Sequence, residues 1–145
     1  MAYTFHFLED IATADLAFDA TGDSLEEVFQ GATDALIDAM ADPETVGAIW
    51  QQSIELADED PATLLFEWLS DLVYWKDAAG VVFSKASLTL HHQDQGMWML
   101  DGMLYGAPVD GARQDLRDDV KGVTKHLYRL TQQGSQWIVR VVLDV

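Results

Sequence analysis

Hydrophobic and polar positions alternate with a period of two in several stretches of this chain, which is the pattern of half-buried β-strands. We predict strands over residues 3–7, 15–20, 48–56, 81–91, 97–105, 120–130 and 136–144. Turn-forming residues at Asp94–Gly96 and Gln133–Gly134 separate strands that follow one another closely. The acidic stretch from Gly106 to Asp119, which contains glycine and proline, is predicted to form a long surface loop.

Two other segments carry the spacing of three and four residues that is typical of an amphipathic helix. The first begins at a capping box formed by Ser24 and Glu27, and Asp42-Pro43 ends it. Its apolar stripe is Leu25, Val28, Phe29, Ala32, Ala35, Leu36, Ala39 and Met40. The second begins at Asp60-Pro61 and stops near Gly80. Its predicted buried face is Leu64, Leu65, Trp68, Leu69, Leu72 and Val73.

Two helices and about seven strands predict an α+β sandwich, in which the helices pack on a bent and mostly antiparallel β-sheet. The length of 145 residues favours a single domain over 1–145, and the hydrophobic fraction of 49% is ample for a packed core. No apolar run approaches the ~20 residues that span a bilayer, and the first ten residues lack the basic region of a signal peptide. The sequence contains no cysteine, which excludes thiolate chemistry and fits the cytoplasmic location that we expect.

The charge balance narrows the choice of partners. The chain has 25 acidic and 8 basic residues, which gives a net charge of -17. Such a surface repels phosphate backbones, so we expect no direct binding of nucleic acid. A basic protein or a cation is the more natural partner, although the same surplus of acid also serves solubility alone.

The usual catalytic signatures are missing from the sequence. It contains no Gly-rich phosphate loop, no Gly-x-Ser-x-Gly elbow and no His-Glu-x-x-His helix. The histidines at 91 and 92 are neighbours on a strand and face opposite sides, so they cannot chelate one ion together. Asp15 and Asp144 stand out because both lie beside apolar strand segments. Periodicity alone cannot bring them together, and both also fit the role of a turn former or an edge charge.

Four segments of the chain carry a recognisable pattern. In order, these are ATADLAFDATGDSLEEVFQGATDALIDAMAD, LLFEWLSDLVYWKDAAGVVFS, GAPVDGARQDLRDDVKGVTKH and WIVRVVLDV. Together they resemble the archease family. They contain the family's tetrad before a strand and helix, its Trp-Leu-centred helix, its Gly-x-Pro loop leading into a Val-Lys-x-Val-Thr strand, and its hydrophobic last strand ending in Asp plus one aliphatic residue. The similarity extends over nearly the whole chain.

The resemblance implies a function and a metal site. Archeases are accessory proteins of RtcB-type RNA ligases, the GTP- and manganese-dependent enzymes that join tRNA exons, and they promote guanylylation and repeated turnover without being ligases themselves. The family's metal ligands correspond to Asp15, Asp144 and the carboxylate of Val145. Three carboxylates in one place repel one another unless a cation neutralises them. Oxygen ligands suit Ca²⁺ first, with Mg²⁺ or Mn²⁺ as alternatives.

The sequence also departs from the family. Ala12 stands where the tetrad usually begins with His, and Gln114 stands where relatives often carry His after Arg. Lys121 and His126, in the segment that resembles Val-Lys-x-Val-Thr, are candidates for a part in ligase activation. Two other functions stay open: a small metal-dependent hydrolase that uses Asp15 and Asp144, and a chaperone-like interaction module with a structural metal.

Overall fold

The computed structural model describes residues 3–9 and 15–145. In these residues two α-helices are interspersed among seven strands. The strands are β1 (Tyr3–Leu8), β2 (Asp15–Gly22), β3 (Trp50–Asp58), β4 (Val81–His92), β5 (Trp98–Pro108), β6 (Gly122–Gln133) and β7 (Gln136–Asp144). The helices are α1 (Leu25–Met40) and α2 (Pro61–Ala79), and a short 3₁₀ turn spans Pro43–Thr45.

The strands form two antiparallel sheets. A four-stranded sheet has the order β1-β2-β7-β6, and a three-stranded sheet has the order β3-β5-β4. The predicted α+β sandwich is confirmed, with the strands divided between two sheets instead of lying in one bent sheet. Helix α1 packs on β1, β2 and β4, whereas α2 packs on β3 and β6. Each helix therefore contacts both sheets. Of the helices that the structure describes, neither has the length and hydropathy needed to cross a membrane.

The helices begin and end where local sequence signals predict. The Ser24 hydroxyl accepts a hydrogen bond from the Glu27 amide at 3.1 Å, and the Asp60 carboxylate accepts one from the Thr63 amide at 3.3 Å. These caps satisfy amide groups that the first helical turn leaves without partners. Gly80 ends α2 in the left-handed conformation, with φ 65°, which glycine adopts without strain.

Helix α1 also covers an edge of the three-stranded sheet. The Gln30 side-chain amide donates to the Ala86 carbonyl at 2.9 Å, and the Leu90 amide donates to the Glu26 carboxylate at 2.9 Å. Both backbone groups belong to β4, the strand at that edge. The helix thereby occupies backbone groups that an open edge would offer to another chain.

The apolar stripe of α2 is core, as predicted. Leu65, Trp68, Leu69 and Leu72 are all fully buried. The Trp68 indole donates from Nε1 to the Thr33 hydroxyl of α1 at 2.9 Å, and that hydroxyl donates to the Phe29 carbonyl at 2.6 Å. The one polar group of the large ring is therefore paired inside the core.

Two sequence predictions need correction. Strand β3 begins at Trp50, two residues later than predicted, and Ile49 before it is 83% exposed. The predicted loop from Gly106 to Asp119 is wrong for its first three residues, because β5 continues to Pro108. Gly106 is there for close packing and not for a turn. A Cβ at this position would lie 2.1 Å from the Val82 carbonyl oxygen of β4.

Candidate metal centre

The two aspartates singled out in the sequence lie opposite each other in the four-stranded sheet. Strands β2 and β7 are antiparallel, and Asp15 is the register partner of Asp144. Side chains of directly opposed residues project from the same face of a sheet, with Cβ atoms about 4.5–5.5 Å apart. Both side chains are exposed. The next residues along, Leu16 and Leu143, project to the opposite face and enter the core.

The end of the sequence is held in place from two sides. Asp144 pairs with Asp15 on one side and with Gly122 of β6 on the other. The Lys121 amide donates to the Asp144 carbonyl at 2.7 Å. Val145 is half-buried and packs against the core. The last two residues therefore have a defined position next to Asp15.

Two carboxylates in direct opposition repel each other, so this pair favours a neighbouring positive charge. A basic residue, Lys121, directly precedes Gly122, the β6 partner of Asp144, and its side chain is exposed. A hard divalent cation fits the same donor set, because it takes carboxylate, carbonyl and water oxygens. In the ranges 3–9 and 15–145, no group of three or more His, Asp or Glu side chains could hold a metal ion. To bind such a cation, the two aspartates would need other oxygen ligands, such as the Val145 carboxylate and water.

The acidic pair is not sufficient by itself to indicate a metal. Glu55 of β3 and Asp101 of β5 also form an opposed, exposed pair of carboxylates, in the three-stranded sheet. What distinguishes the Asp15–Asp144 pair is its position next to Val145, whose carboxylate the family resemblance predicts to be a third ligand.

The other predicted site residues differ in whether the structure connects them to the Asp15–Asp144 pair. Lys121 is linked to Asp144 through its backbone amide. His126 is exposed and lies in the irregular segment between Thr124 and Arg129, where β6 loses its register with β7. Ala12 lies outside the described residues.

Gln114 closes the loop that follows β5. Its side-chain oxygen accepts from the Asp110 amide at 2.8 Å, and its Nε2 donates to the Pro108 carbonyl at 3.0 Å. Gln114, one of the two departures from the family pattern, therefore stabilises the loop in which it lies.

A model of the archease protein family matches residues 5–145. The chain belongs to the archease family. The archease of Methanothermobacter thermautotrophicus is 33% identical over 141 residues, which cover 97% of this chain and 98% of that protein. The archease of Pyrococcus furiosus is 29% identical over 134 residues, which cover 92% of this chain and 94% of that protein.

Solved structures agree with this assignment. The solution structure of Methanobacterium thermoautotrophicum protein 1598 matches with a TM-score of 0.83 at 33% identity, over 97% of this chain and 98% of that one. A crystal structure from Thermotoga maritima, described as an archease and "possible chaperone", matches with a TM-score of 0.63 at 18% identity, over 97% of this chain and 98% of that one. The second likeness shows that the archease fold is shared.

Sequence reasoning missed a second group of charged residues in the same sheet. Asp19 and Arg140 form an ion pair between β2 and β7, and Arg129 of β6 lies opposite Arg140. Asp19 and Arg140 are each four residues from the acidic pair in their strands, and this even spacing places them on the same face. The spacing is visible in the sequence, but the register that joins the residues is not.

Proposed function

We propose that this chain is an accessory protein of an RtcB-type RNA ligase, which promotes the guanylylation and repeated turnover of that enzyme. We further propose that it binds a divalent cation through Asp15, Asp144 and the Val145 carboxylate. The observation that carries the metal site is the direct opposition of Asp15 and Asp144 in a chain of the archease family. The ligase partner rests on the resemblance to that family, whose members assist such ligases.

Ca²⁺ is the first choice for the ion, because it accepts six to eight oxygen ligands in flexible geometry. Two exposed aspartates and one terminal carboxylate leave room for several waters. Mg²⁺ and Mn²⁺ use the same ligand types and remain the alternatives. The bound ion would neutralise the repulsion among the three carboxylates and anchor the end of β7 against β2.

The net charge of -17 supports a basic partner. An enzyme that binds RNA presents Lys and Arg to phosphates, and a strongly acidic protein is attracted to such a surface. The same charge opposes independent binding of RNA by this chain. The proposed role is therefore that of a non-catalytic protein that docks on the ligase in the cytoplasm.

Metal titration tests the site directly. Calorimetric titration with CaCl₂ and MnCl₂ should show one site on the wild type and a loss of at least about tenfold in affinity for Asp144→Asn, since the change keeps the shape but removes one anionic ligand. Appending residues after Val145 should act similarly, because it replaces a charged carboxylate by a neutral peptide carbonyl. Asp101→Asn is the matched control, because it removes one charge from the other opposed acidic pair. Equal metal binding in all four proteins would reject the site.

Activity separates the functional alternatives. The chain is added in substoichiometric amounts to an RtcB-type ligase with GTP, Mn²⁺ and RNA ends, and both guanylylation and ligation are followed. Stimulation that falls with Asp144→Asn supports the activator with a functional metal. Stimulation that survives the loss of metal makes the ion structural. A reaction on RNA or nucleotide without ligase would favour the hydrolase instead.

A further inference from the structure

A row of ionisable side chains crosses the four-stranded sheet on the face that carries Asp15 and Asp144. The row contains one residue from each strand in register: His6, Asp19, Arg140 and Arg129. Four residues of strand separate it from the acidic pair, which corresponds to about 13 Å. The row is therefore distinct from the candidate metal centre.

Two guanidinium groups and one carboxylate dominate this row. Arg140 donates from Nε and Nη2 to the two carboxylate oxygens of Asp19, at 2.8 and 2.9 Å. This bidentate hydrogen bond raises the pKa of Arg140. Arg129 lies directly opposite Arg140, and it forms no ion pair with any residue in the described part of the chain. Two guanidiniums against one carboxylate leave an excess positive charge on a strongly acidic protein.

Three residues of this row, Asp19, Arg129 and Arg140, line a cavity of about 470 Å³. Thr131 and Gln133 add side chains that can donate hydrogen bonds, and Leu127 and Ile138 supply apolar surface. The cavity is within the range of about 300–1,000 Å³ that small-molecule sites occupy.

One wall of the cavity is the β6 bulge, residues 125–128, where the register with β7 shifts. A hydrogen bond attaches the bulge to α2, because the Tyr128 hydroxyl donates to the Ala62 carbonyl at 2.6 Å. Leu127 has φ 56°, which is unusual for a leucine, and its side chain is 48% exposed at the cavity. Leu127 and Arg129 both line the cavity, which therefore combines an apolar side chain with a guanidinium group.

We propose that this cavity binds the phosphate group of a small phosphorylated ligand about the size of a mononucleotide. Guanidinium groups recognise phosphate oxygens through paired N–H donors, and the Arg129 side chain makes no hydrogen bond to any described residue, which leaves its donors for a ligand. The one carboxylate in the row, Asp19, is already occupied by Arg140. A phosphate dianion supplies three acceptor oxygens, and its negative charge offsets the excess positive charge of the two arginines. Leu127 and Ile138 then contact the apolar or planar body of the ligand.

The site is tested by calorimetric titration of the full chain at pH 7.5 in EDTA, so that no divalent ion bridges phosphate to the protein. The probes are inorganic phosphate, adenosine monophosphate and adenosine, at moderate salt that screens the net charge. Phosphate and adenosine monophosphate should bind, and adenosine should not bind measurably. Arg129→Gln should weaken both by about tenfold or more, because a hydrogen-bonded charged partner is lost.

Two further variants test whether phosphate affinity depends on this particular site. Arg113→Gln makes the same change in charge on a residue that is 86% exposed in the loop after β5, and it should leave affinity unchanged. Asp19→Asn should strengthen binding, because it frees Arg140 and removes a negative charge. A gain in affinity cannot result from damage to the fold. Arg129 is exposed, so Arg129→Gln should keep the circular dichroism of the wild type.

The proposal would be overturned if neither phosphate nor adenosine monophosphate bound the wild type at millimolar concentration. It would also be overturned if the wild type and Arg129→Gln bound these probes with equal affinity, or if adenosine bound as tightly as adenosine monophosphate. A loss with Arg113→Gln as large as with Arg129→Gln would also overturn it, since only overall charge would then matter. The assay contains no metal, and its outcome is therefore independent of the candidate metal centre.

Discussion

Gly102 of β5 lies directly against the indole ring of Trp68, and this contact yields a sharp test of the core. A Cβ added at Gly102 would lie 2.4 Å from both Cη2 and Cζ3 of the ring. Heavy atoms do not approach so closely without displacement. Trp68 is fully buried and its Nε1 is bonded to Thr33, so the ring cannot simply swing aside. Gly102→Ala should therefore destabilise the fold by about 1–3 kcal/mol, as overpacking of a core does.

The same contact predicts that two substitutions are coupled. Trp68→Ala should cost about 3–5 kcal/mol, the range for large aromatic truncations in cores. Trp68→Phe should cost less, and it removes the ring atoms that the new methyl group would meet. Gly102→Ala should then be better tolerated in the Trp68→Phe background, with a coupling energy of about 1 kcal/mol or more.

Urea unfolding followed by far-ultraviolet circular dichroism measures these free energies, because its signal does not depend on the tryptophan that is replaced. Gly47→Ala is the control: its new Cβ would meet only the Ala107 Cβ, at an ordinary 4.0 Å. That variant should be at least as stable as the wild type, since alanine restricts the unfolded chain. The reasoning is refuted if Gly102→Ala is as stable as Gly47→Ala, or if the Trp68→Phe and Gly102→Ala effects simply add.

Three further predictions concern contacts outside this core pair. Ser24→Ala removes the cap on the Glu27 amide and should cost about 1 kcal/mol in urea unfolding, whereas Ser24→Asp should keep most of it. Burial raises the pKa of Tyr128, so its phenol should ionise well above 10 in a spectrophotometric titration, and Tyr128→Phe should cost about 0.5–1.5 kcal/mol. Lys76 donates to Asp119 at 2.7 Å, and this hydrogen bond lowers the pKa of the Asp119 carboxyl from its ordinary value of 3.8. The ion pair therefore stabilises the fold above pH 3.8, and this stabilisation is lost as acid protonates Asp119. Thermal unfolding of the wild type and Asp119→Asn should differ at pH 7 and converge as the pH falls through the lowered pKa of Asp119; a difference that stays constant during acid titration would contradict this linkage.

The sequence alone determined the helices almost completely. Caps and apolar stripes are local signals, so Ser24, Asp60 and Gly80 mark the ends of the two helices within a residue or two. Alternation likewise located all seven strands, and the apolar stripe of the second helix placed Trp68 in the core. These features depend on neighbours within one or two helical turns or along one strand, which a single sequence displays.

Only the tertiary structure decided which strands pair and in what register. The sequence pattern does not show that Asp15 faces Asp144, that Arg129 faces Arg140, or that Glu55 faces Asp101. The role of Asp15, Asp144 and Val145 as metal ligands stays a prediction from the family. Pairing depends on contacts between segments that are distant in the sequence, and for β2 and β7 the separation exceeds a hundred residues. Such contacts are selected by the burial of the opposite face of each strand, where Leu16 meets Leu143, and the charged residues on the outer face take the register that this burial imposes.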